Sequence, residues 1–206
     1  MKIVLLLLTF ASLLPGASIF YSKSFPGSSP EYVQIKVDSS GDAEFNDSKT
    51  DDNVMRFKLS AADTKTIFDL AEKLGNFSRP LESGLKVAFM GEKTFRFEDG
   101  AKRNELKFNY STELEAQQLH DWFEKMAETQ AYLINLEKCV RFDHLGVLKA
   151  LLQIEAAWDH KRLVAPEQFL KMLDRVAKSE VYLNLARERA AGMADYIRGI
   201  AKSKPQ

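Results

Sequence analysis

Apolar and polar residues alternate along most of residues 31–110. The stretch YVQIKVD shows the pattern, because Val33, Ile35 and Val37 occupy every second position, and a period of two residues is typical of a half-buried β-strand. The following SSGD turn predicts a return strand at AEF. Further strands are predicted at VMRFKLS and, up to three of them, within residues 85–110. The pattern therefore predicts an antiparallel sheet that buries one face.

One predicted helix interrupts these strands, in the stretch SAADTKTIFDLAEKLG. Ser60 precedes it as an N-cap with Asp63 three residues later, and Gly75 follows its last apolar residue, which are the usual signals for the start and end of a helix. The apolar positions on its buried side are Ile67, Leu70, Ala71 and Leu74. A sheet that buries one face against such a helix is an α+β arrangement.

The period becomes helical after Ser111 and stays helical to the end of the chain. Thr112 and Glu115 have the spacing of a capping box. Apolar residues then recur at helical spacings to about Phe142, which predicts one helix of about 45 Å that connects the sheet layer to the helices behind it. Pro166 suits the first turn of a later helix. The predicted fold class is α+β: an N-terminal antiparallel sheet with one packed helix, followed by a long helix and a C-terminal helical hairpin array or small bundle.

The start of the chain has the pattern of a secretory signal peptide. Lys2 precedes an apolar run over residues 3–14, and small residues follow at 16–18, in the order of a charged start, a short apolar core and a cleavage region. Because roughly twenty apolar residues are needed to span a bilayer, we expect this segment to be cleaved. An uncleaved N-terminal anchor is the alternative.

These patterns divide the chain into five parts. We expect the mature chain to begin between Ser18 and Ser22, since the small, Pro- and Gly-punctuated residues that follow suit a mobile lead-in. The predicted parts are a signal peptide (1–20), a flexible lead-in (21–30), an α+β sheet domain (31–111), a helical region packed on or extending from it (112–202) and a tail (203–206).

Composition narrows the cellular setting. The chain of 206 residues contains one cysteine, so it forms no intrachain disulfide and depends on its hydrophobic core. A short signal without disulfides favours bacterial export to the periplasm or the medium. The net charge is zero, but residues 21–138 carry 16 basic and 21 acidic side chains, and residues 139–206 carry 12 and 8. Without a dense basic run, we predict no nucleic-acid binding and only transient membrane contact, through the signal segment.

The segment 31–110 also resembles a known kind of domain. It combines a strand, a Ser-Gly-Asp turn, a return strand, the stretch FKLSAADTKTIFDL and a hairpin-rich end. In this it resembles an uncharacterised α+β domain of secreted bacterial proteins. The resemblance implies an α+β front half and bacterial export. It implies no activity and no functional residues.

The stretch EKCVRFDHLG holds the only cysteine, Cys139, with Asp143 and His144 shortly after it. These residue types occur in thiol-nucleophile sites, where a base within hydrogen-bonding distance activates the thiol. On one continuous helix, Asp143 shares the face of Cys139 and His144 points about 140° away. We therefore interpret the stretch as a joint between helices, with Cys139 as a small buried apolar residue. The three residues are weak catalytic candidates, and no catalytic site is predicted.

His120 and Glu124 are the weak candidates for metal binding. Their i, i+4 spacing puts both on one helix face, but two ligands do not make a metal site. The motifs of zinc, nucleotide and nucleophile-elbow sites are missing from the sequence, so we predict neither a metal nor a cofactor. The favoured hypothesis is a non-enzymatic binding or protein-interaction module whose partner is another protein or a small ligand. The alternative is an extracytoplasmic enzyme, such as a hydrolase, with a site assembled from sequence-distant residues.

Overall fold

The computed structural model describes residues 16–50 and 54–203, so most of the predicted signal segment and the end of the predicted tail lie outside the described residues. Within these ranges the strands are β1 (Ser18–Ser24), β2 (Tyr32–Asp38), β3 (Asp42–Asn46), β4 (Met55–Lys58), β5 (Glu92–Asp99) and β6 (Lys102–Phe108). The helices are α1 (Ala61–Lys73), α2 (Leu114–Phe142), α3 (Val147–Asp159), α4 (Leu170–Lys178) and α5 (Asn184–Ser203). Strands followed by helices confirm the predicted α+β class.

The six strands form one antiparallel sheet in the order β4-β3-β2-β1-β5-β6. Strand β1 therefore lies at the centre, where Tyr21 is opposite Ile35 of β2 on one side and Phe95 of β5 on the other. Ile19 and Tyr21 point to the helical side of the sheet and are fully buried. The first strand of the described chain thus lies inside the sheet, with ladder partners on both edges.

This position of β1 differs from the flexible lead-in expected at residues 21–30. Residues up to Ser24 are paired on both sides, so a mature chain that began at Ser22 would lack half of the central strand. The alternation in SIFYSKS is that of a strand. It follows the signal-like apolar run directly, and the small residues of a cleavage region overlap its first positions.

The predicted helix signals around α1 are confirmed. The backbone N–H of Asp63 donates to Ser60 Oγ at 3.1 Å, and Gly75 just beyond the helix has a φ of +66°, a conformation that glycine adopts without steric cost. Of the strands allowed within residues 85–110, two form. The residues LKVAFM before β5 lie in a loop outside the sheet.

The predicted capping box of α2 is wrong. Helix α2 begins at Leu114, and Glu113 occupies the N-cap position without a side-chain capping hydrogen bond. The carboxylate of Glu113 instead accepts two hydrogen bonds from the guanidinium of Arg79, at 2.5 and 2.6 Å. The backbone N–H groups of the first turn of α2 are therefore left without a side-chain cap.

Helix α2 contributes to two hydrophobic cores. Its first half packs Leu119, Phe123 and Met126 against the sheet and α1. Its second half packs Leu133 and other apolar residues against α3, α4 and α5. With 29 residues at about 1.5 Å per residue, the helix is long enough to join the sheet layer to the helical layer. This is the connecting role that the sequence pattern predicts.

The face of the sheet away from α1 and α2 is polar. Arg56 pairs with Glu44 across neighbouring strands at 3.0 Å, and the guanidinium of Arg96 lies 4.1 Å above the ring of Phe20. Across the described ranges, no helix combines the length and the apolar character needed to span a membrane.

The central position of β1 predicts a sharp limit for N-terminal truncation. We expect a chain that starts at Ser18 to fold, and a chain that starts at Lys23 to be unfolded at 25 °C. The second chain loses the buried Ile19 and Tyr21, each worth about 1.5–3 kcal/mol of burial, as well as half of a doubly paired strand, against a total stability of roughly 5–15 kcal/mol. Far-UV circular dichroism during urea unfolding measures the difference. Equal unfolding midpoints for the two chains would contradict the central position of β1 in the sheet.

Candidate functional site

The Cys139 region forms a packed joint between α2 and α3. Cys139 is buried near the end of α2, and a Cβ added at Gly146 would come within 3.2 Å of its Sγ atom. Burial and the nearby Asp143 carboxylate raise the pKa of the Cys139 thiol. Asp143 is itself engaged, since its Oδ1 atom accepts a hydrogen bond from the backbone N–H of Gly146 at 3.0 Å. The environment thus disfavours the thiolate that a nucleophilic cysteine needs.

The observed ring contact of His144 is with Tyr182, on the α4–α5 connection. The His144 side chain is exposed, and its ring packs edge-on against Tyr182 with 5.2 Å between the ring centroids. The hydroxyl of Tyr182 donates to the backbone oxygen of Val140 at 3.1 Å, which ties the α4–α5 connection to the end of α2. The structure therefore brings Cys139 and Asp143 together but does not place His144 as a base for the thiol.

His120 and Glu124 belong to a hydrogen-bonded network between α2 and β1. The Tyr21 hydroxyl donates to Glu124 Oε1 at 2.9 Å and lies 3.2 Å from His120 Nδ1. The Lys23 ammonium donates to Glu124 Oε2 at 3.1 Å. The i, i+4 spacing on α2 puts both side chains over the alternate positions 21 and 23 of β1. Residues that are 99 to 103 positions apart in the sequence thus form one polar cluster.

The protonation of this network follows from its contacts. Burial and the Glu124 charge raise the pKa of Tyr21 well above its ordinary value, so Tyr21 stays protonated and donates its one O–H hydrogen bond to Glu124. Burial lowers the pKa of His120 to about 4, so its ring is neutral at pH 7. His120 then donates from Nδ1 to the Tyr21 oxygen and presents Nε2 as a hydrogen-bond acceptor. In the described part of the chain, no group donates to Nε2.

The same contacts leave little capacity for a metal ion. Both oxygens of Glu124 already accept hydrogen bonds, from Tyr21 and Lys23. Among the described residues, no three His, Cys, Asp or Glu side chains are grouped so as to hold a metal. His120 and Glu124 are brought together, as their spacing predicts, in a hydrogen-bonded network with a tyrosine and a lysine.

A small cavity, here called the His120 cavity, lies beside this network. Its volume is about 120 Å³, and it is bounded by the start of β5, the end of β6 and the first two turns of α2. The side chains that carry the argument below are Met90, Lys93, Phe108, Ser111, Ala116 and His120. Apolar walls with a few polar groups are typical of small-ligand sites.

Lys93 is the buried cation of the His120 cavity. It is only 4% exposed, and its Nζ atom donates to the backbone oxygens of Asn109 at 2.7 Å and Gly91 at 3.3 Å. Burial, together with the neighbouring charge of Lys23, lowers the pKa of Lys93. A buried ammonium held by carbonyl oxygens is costly, and it provides a positive centre inside the cavity.

The loop before β5, here called the apolar loop (residues 81–91), borders the same cavity. Four of its large apolar side chains are exposed: Leu85 by 57%, Val87 by 40%, Phe89 by 56% and Met90 by 52%. The side-chain amide of Asn109 makes two hydrogen bonds to the backbone of the loop. Its Oδ1 atom accepts from the backbone N–H of Met90 at 2.7 Å, and its Nδ2 atom donates to the oxygen of Ala88 at 3.1 Å. These hydrogen bonds fix the loop backbone in a conformation in which the four apolar side chains are exposed.

The sequence patterns missed most of this site. Tyr21 and Lys23 alternate correctly for a strand face, but they lie in the predicted lead-in. Lys93 occupies the inward side of β5 with Phe95 and Phe97, and a lysine at an inward position is the one available signal, since lysine is almost never fully buried. The apolar character of the loop residues is also typical of a strand, so the sequence pattern did not predict that their side chains are exposed.

The raised thiol pKa predicts a slow reaction of Cys139. We expect Ellman's reagent to modify Cys139 in the folded protein at least about tenfold more slowly than in urea, since burial and Asp143 disfavour the thiolate. Absorbance at pH 8 follows the reaction. The variant His144→Ala is the matched control and should leave the folded-state rate unchanged. A clear slowing in His144→Ala would show that His144 activates the thiol.

The lowered pKa of His120 predicts a pH-dependent stability. An unfolded histidine takes up a proton near pH 6.5, and the folded one only near pH 4. Between these values the unfolded state binds more protons, so the free energy of unfolding is highest above pH 6.5 and falls as the pH falls. We expect a loss of about 2 kcal/mol between pH 7 and pH 5. Urea unfolding at the two pH values measures it.

Two variants test whether His120 causes this dependence. His120→Gln keeps a donor for Tyr21 without the titration, and it should remove most of the pH 7 to pH 5 difference. The exposed His160 provides the matched control, because His160→Gln should keep the wild-type slope. An unchanged slope in His120→Gln would assign the dependence to other groups.

Comparison of the chain with protein-family models finds no match, and comparison with curated proteins finds no significant relative. Function therefore has to be inferred from the geometry of the site.

Proposed function

We propose that the chain is an exported bacterial protein that binds a small amphipathic molecule and does not convert it. The binding surface consists of the apolar loop and the His120 cavity next to it. The observation that carries this proposal is the fixed exposure of four large apolar side chains beside a cavity with a buried cation.

Export is supported by the N-terminal sequence. Lys2, the apolar run over 3–14 and the small residues at 16–18 have the order of a signal peptide. Processing upstream of β1 would leave the central strand complete, because its ladder pairing begins at Ser18. The proposed location is accordingly the periplasm or the medium.

Binding is supported by the way the apolar loop is held. A flexible loop would turn large apolar side chains towards the protein, since each one gains roughly 1.5–3 kcal/mol when it is buried. Asn109 holds the backbone at Ala88 and Met90, Glu82 accepts from the backbone N–H of Asn109 at 2.6 Å, and the ring of Phe89 contacts Phe25 edge-on at 6.0 Å. Apolar groups kept exposed in this way mark interaction sites.

The size of the His120 cavity favours a small ligand over a folded partner. A volume of about 120 Å³ accepts a head group of a few atoms, and Met90 belongs both to the cavity wall and to the exposed loop. A ligand with a polar head and an apolar tail would therefore place its head in the cavity and its tail along the loop.

A second candidate function is an extracytoplasmic hydrolase. Ser111 is buried and lines the His120 cavity together with His120, whose neutral ring presents Nε2 as an acceptor, as a general base requires. An esterase screen of the purified protein tests this candidate, and activity that disappears in Ser111→Ala would favour it over simple binding.

The proposal predicts that the apolar loop binds an uncharged apolar dye. We expect the double variant Phe89→Ser, Met90→Ser to bind Nile red at least about tenfold more weakly than the wild type, because loss of two apolar contacts removes more than about 1.4 kcal/mol. Fluorescence titration measures the affinity.

The exposed Phe142, at the distant end of α2, offers the matched control. It is 80% exposed, so Phe142→Ser removes an even more accessible aromatic ring without touching the apolar loop. Its affinity for Nile red should stay within about twofold of the wild type. Equal weakening by both changes, or none in the loop variant, would contradict the proposed surface.

A further inference from the structure

We propose that the head group held in the His120 cavity is a carboxylate, bound between the Nζ atom of Lys93 and the backbone N–H groups at the start of α2. This inference rests on the proposed function, because it names the chemical class of the ligand that the apolar loop and the cavity bind.

The first support is the incomplete pairing of Lys93. An ammonium has three N–H donors, and Lys93 gives two of them to the oxygens of Asn109 and Gly91. Within the described ranges, no carboxylate lies within 4.0 Å of its Nζ atom. The closest acids are engaged elsewhere, since Glu124 binds Tyr21 and Lys23 and Glu82 accepts from Asn109. The Nζ atom also lies 5.9 Å from the centroid of the Phe108 ring, which leaves the third N–H without an oxygen acceptor, and this donor remains for a ligand.

The second support is the uncapped start of α2. Glu113 makes no side-chain capping hydrogen bond to the helix, and the first backbone N–H of this region with a helical acceptor in the described chain is that of Gln117, which donates to Glu113 at 3.1 Å. The preceding N–H groups, at 114–116, thus lack acceptors, and Ala116 is buried and lines the cavity. The N-terminus of a 29-residue helix also carries a partial positive charge.

Charge and size together favour a carboxylate over a phosphate. The charge of Lys23 is already balanced by Glu124, so Lys93 is the one lysine of this pair without a carboxylate in direct contact. A group with one negative charge matches it, whereas a phosphate monoester carries between one and two at pH 7. Neutral His120 adds no opposing charge. A carboxylate of three heavy atoms also fits a volume of about 120 Å³ and leaves room for the first carbons of its chain.

The apolar part of the ligand has a continuous surface to follow. Phe108 and Met90 line the cavity, and Met90 continues into the exposed side chains of Phe89 and Val87. The geometry therefore describes a monocarboxylate with an aliphatic chain, whose charged end is buried and whose chain lies on the loop.

Calorimetric titration of the purified protein with sodium octanoate and with 1-octanol tests this inference. The two probes share an eight-carbon chain and differ in charge. We expect octanoate to bind at least about tenfold more tightly than octanol, the ratio that one charge-assisted hydrogen bond provides. In Lys93→Met this preference should fall to within about twofold, with octanol affinity retained.

Lys65 supplies the matched control for Lys93, because it is an exposed lysine of α1 and lies outside both the apolar loop and the His120 cavity. Lys65→Met should keep the preference for octanoate, and its loss there would show general charge attraction and overturn the inference. Equal binding of octanol and octanoate by the wild type would also overturn the carboxylate while leaving the proposed apolar surface intact. Failure of Nile red and both probes to bind would overturn the surface itself.

A readout on the wild-type protein keeps the test independent of how Lys93→Met folds. In ¹⁵N-resolved NMR spectra, the amide signal of Ala116 should shift on addition of octanoate and stay in place with octanol, since only the carboxylate accepts a hydrogen bond there with full charge. An Ala116 signal that octanoate leaves unmoved would overturn the inference.

Discussion

The buried hydroxyl of Tyr21 is the contact on which the arrangement of the sheet and the long helix depends. Tyr21 is fully buried at the centre of the sheet, and a buried hydroxyl without a partner would cost about 1–3 kcal/mol. Glu124 accepts its hydrogen bond and His120 lies one turn earlier, so α2 has one favourable rotation over β1. The same rotation turns Phe123 onto the Tyr21 ring, with 4.7 Å between the ring centroids. Because α2 continues as one helix into the second core, this contact also sets where α3, α4 and α5 pack.

The parts of the fold that the sequence predicts are those with local causes. The alternation in β2 and the Ser60 cap of α1 depend on residues within a few positions of one another, and both are confirmed. The capping box of Thr112 and Glu115 did not form, because α2 begins at Leu114 and Glu113 occupies the N-cap position, where Arg79, from outside the local pattern, binds its carboxylate. Strand β1 was missed because residues 18–24 directly follow a signal-like segment. Small residues such as those at 16–18 are typical of a signal-peptide cleavage region and also occur at the start of a strand. Only the ladder to β2 and β5 distinguishes the two.

The candidate site is less predictable because its contacts join distant parts of the chain. The spacing of His120 and Glu124 correctly places them on one face, but the residues that decide their chemistry, Tyr21 and Lys23, lie about a hundred positions earlier. Cys139 shows the converse case, where neighbours in sequence suggest a nucleophile and the fold turns His144 towards Tyr182. Proximity in sequence therefore suggests a site at Cys139 that the fold does not form, and it gives no sign of the cluster around Tyr21 that the fold does form.

Lys93 and the apolar loop are both unfavourable for the protein on its own. Position 93 lies on the same inward face as the buried Phe95, so an apolar residue there would extend the core, whereas an ammonium without a carboxylate has to be desolvated. A few residues earlier, Phe89 and Met90 expose area that a polar loop would not. A natural sequence departs from locally favourable choices chiefly where function requires it. The proposed ligand would account for both departures at this cavity, because it would neutralise the lysine and cover the loop, so that each cost is recovered in the bound state.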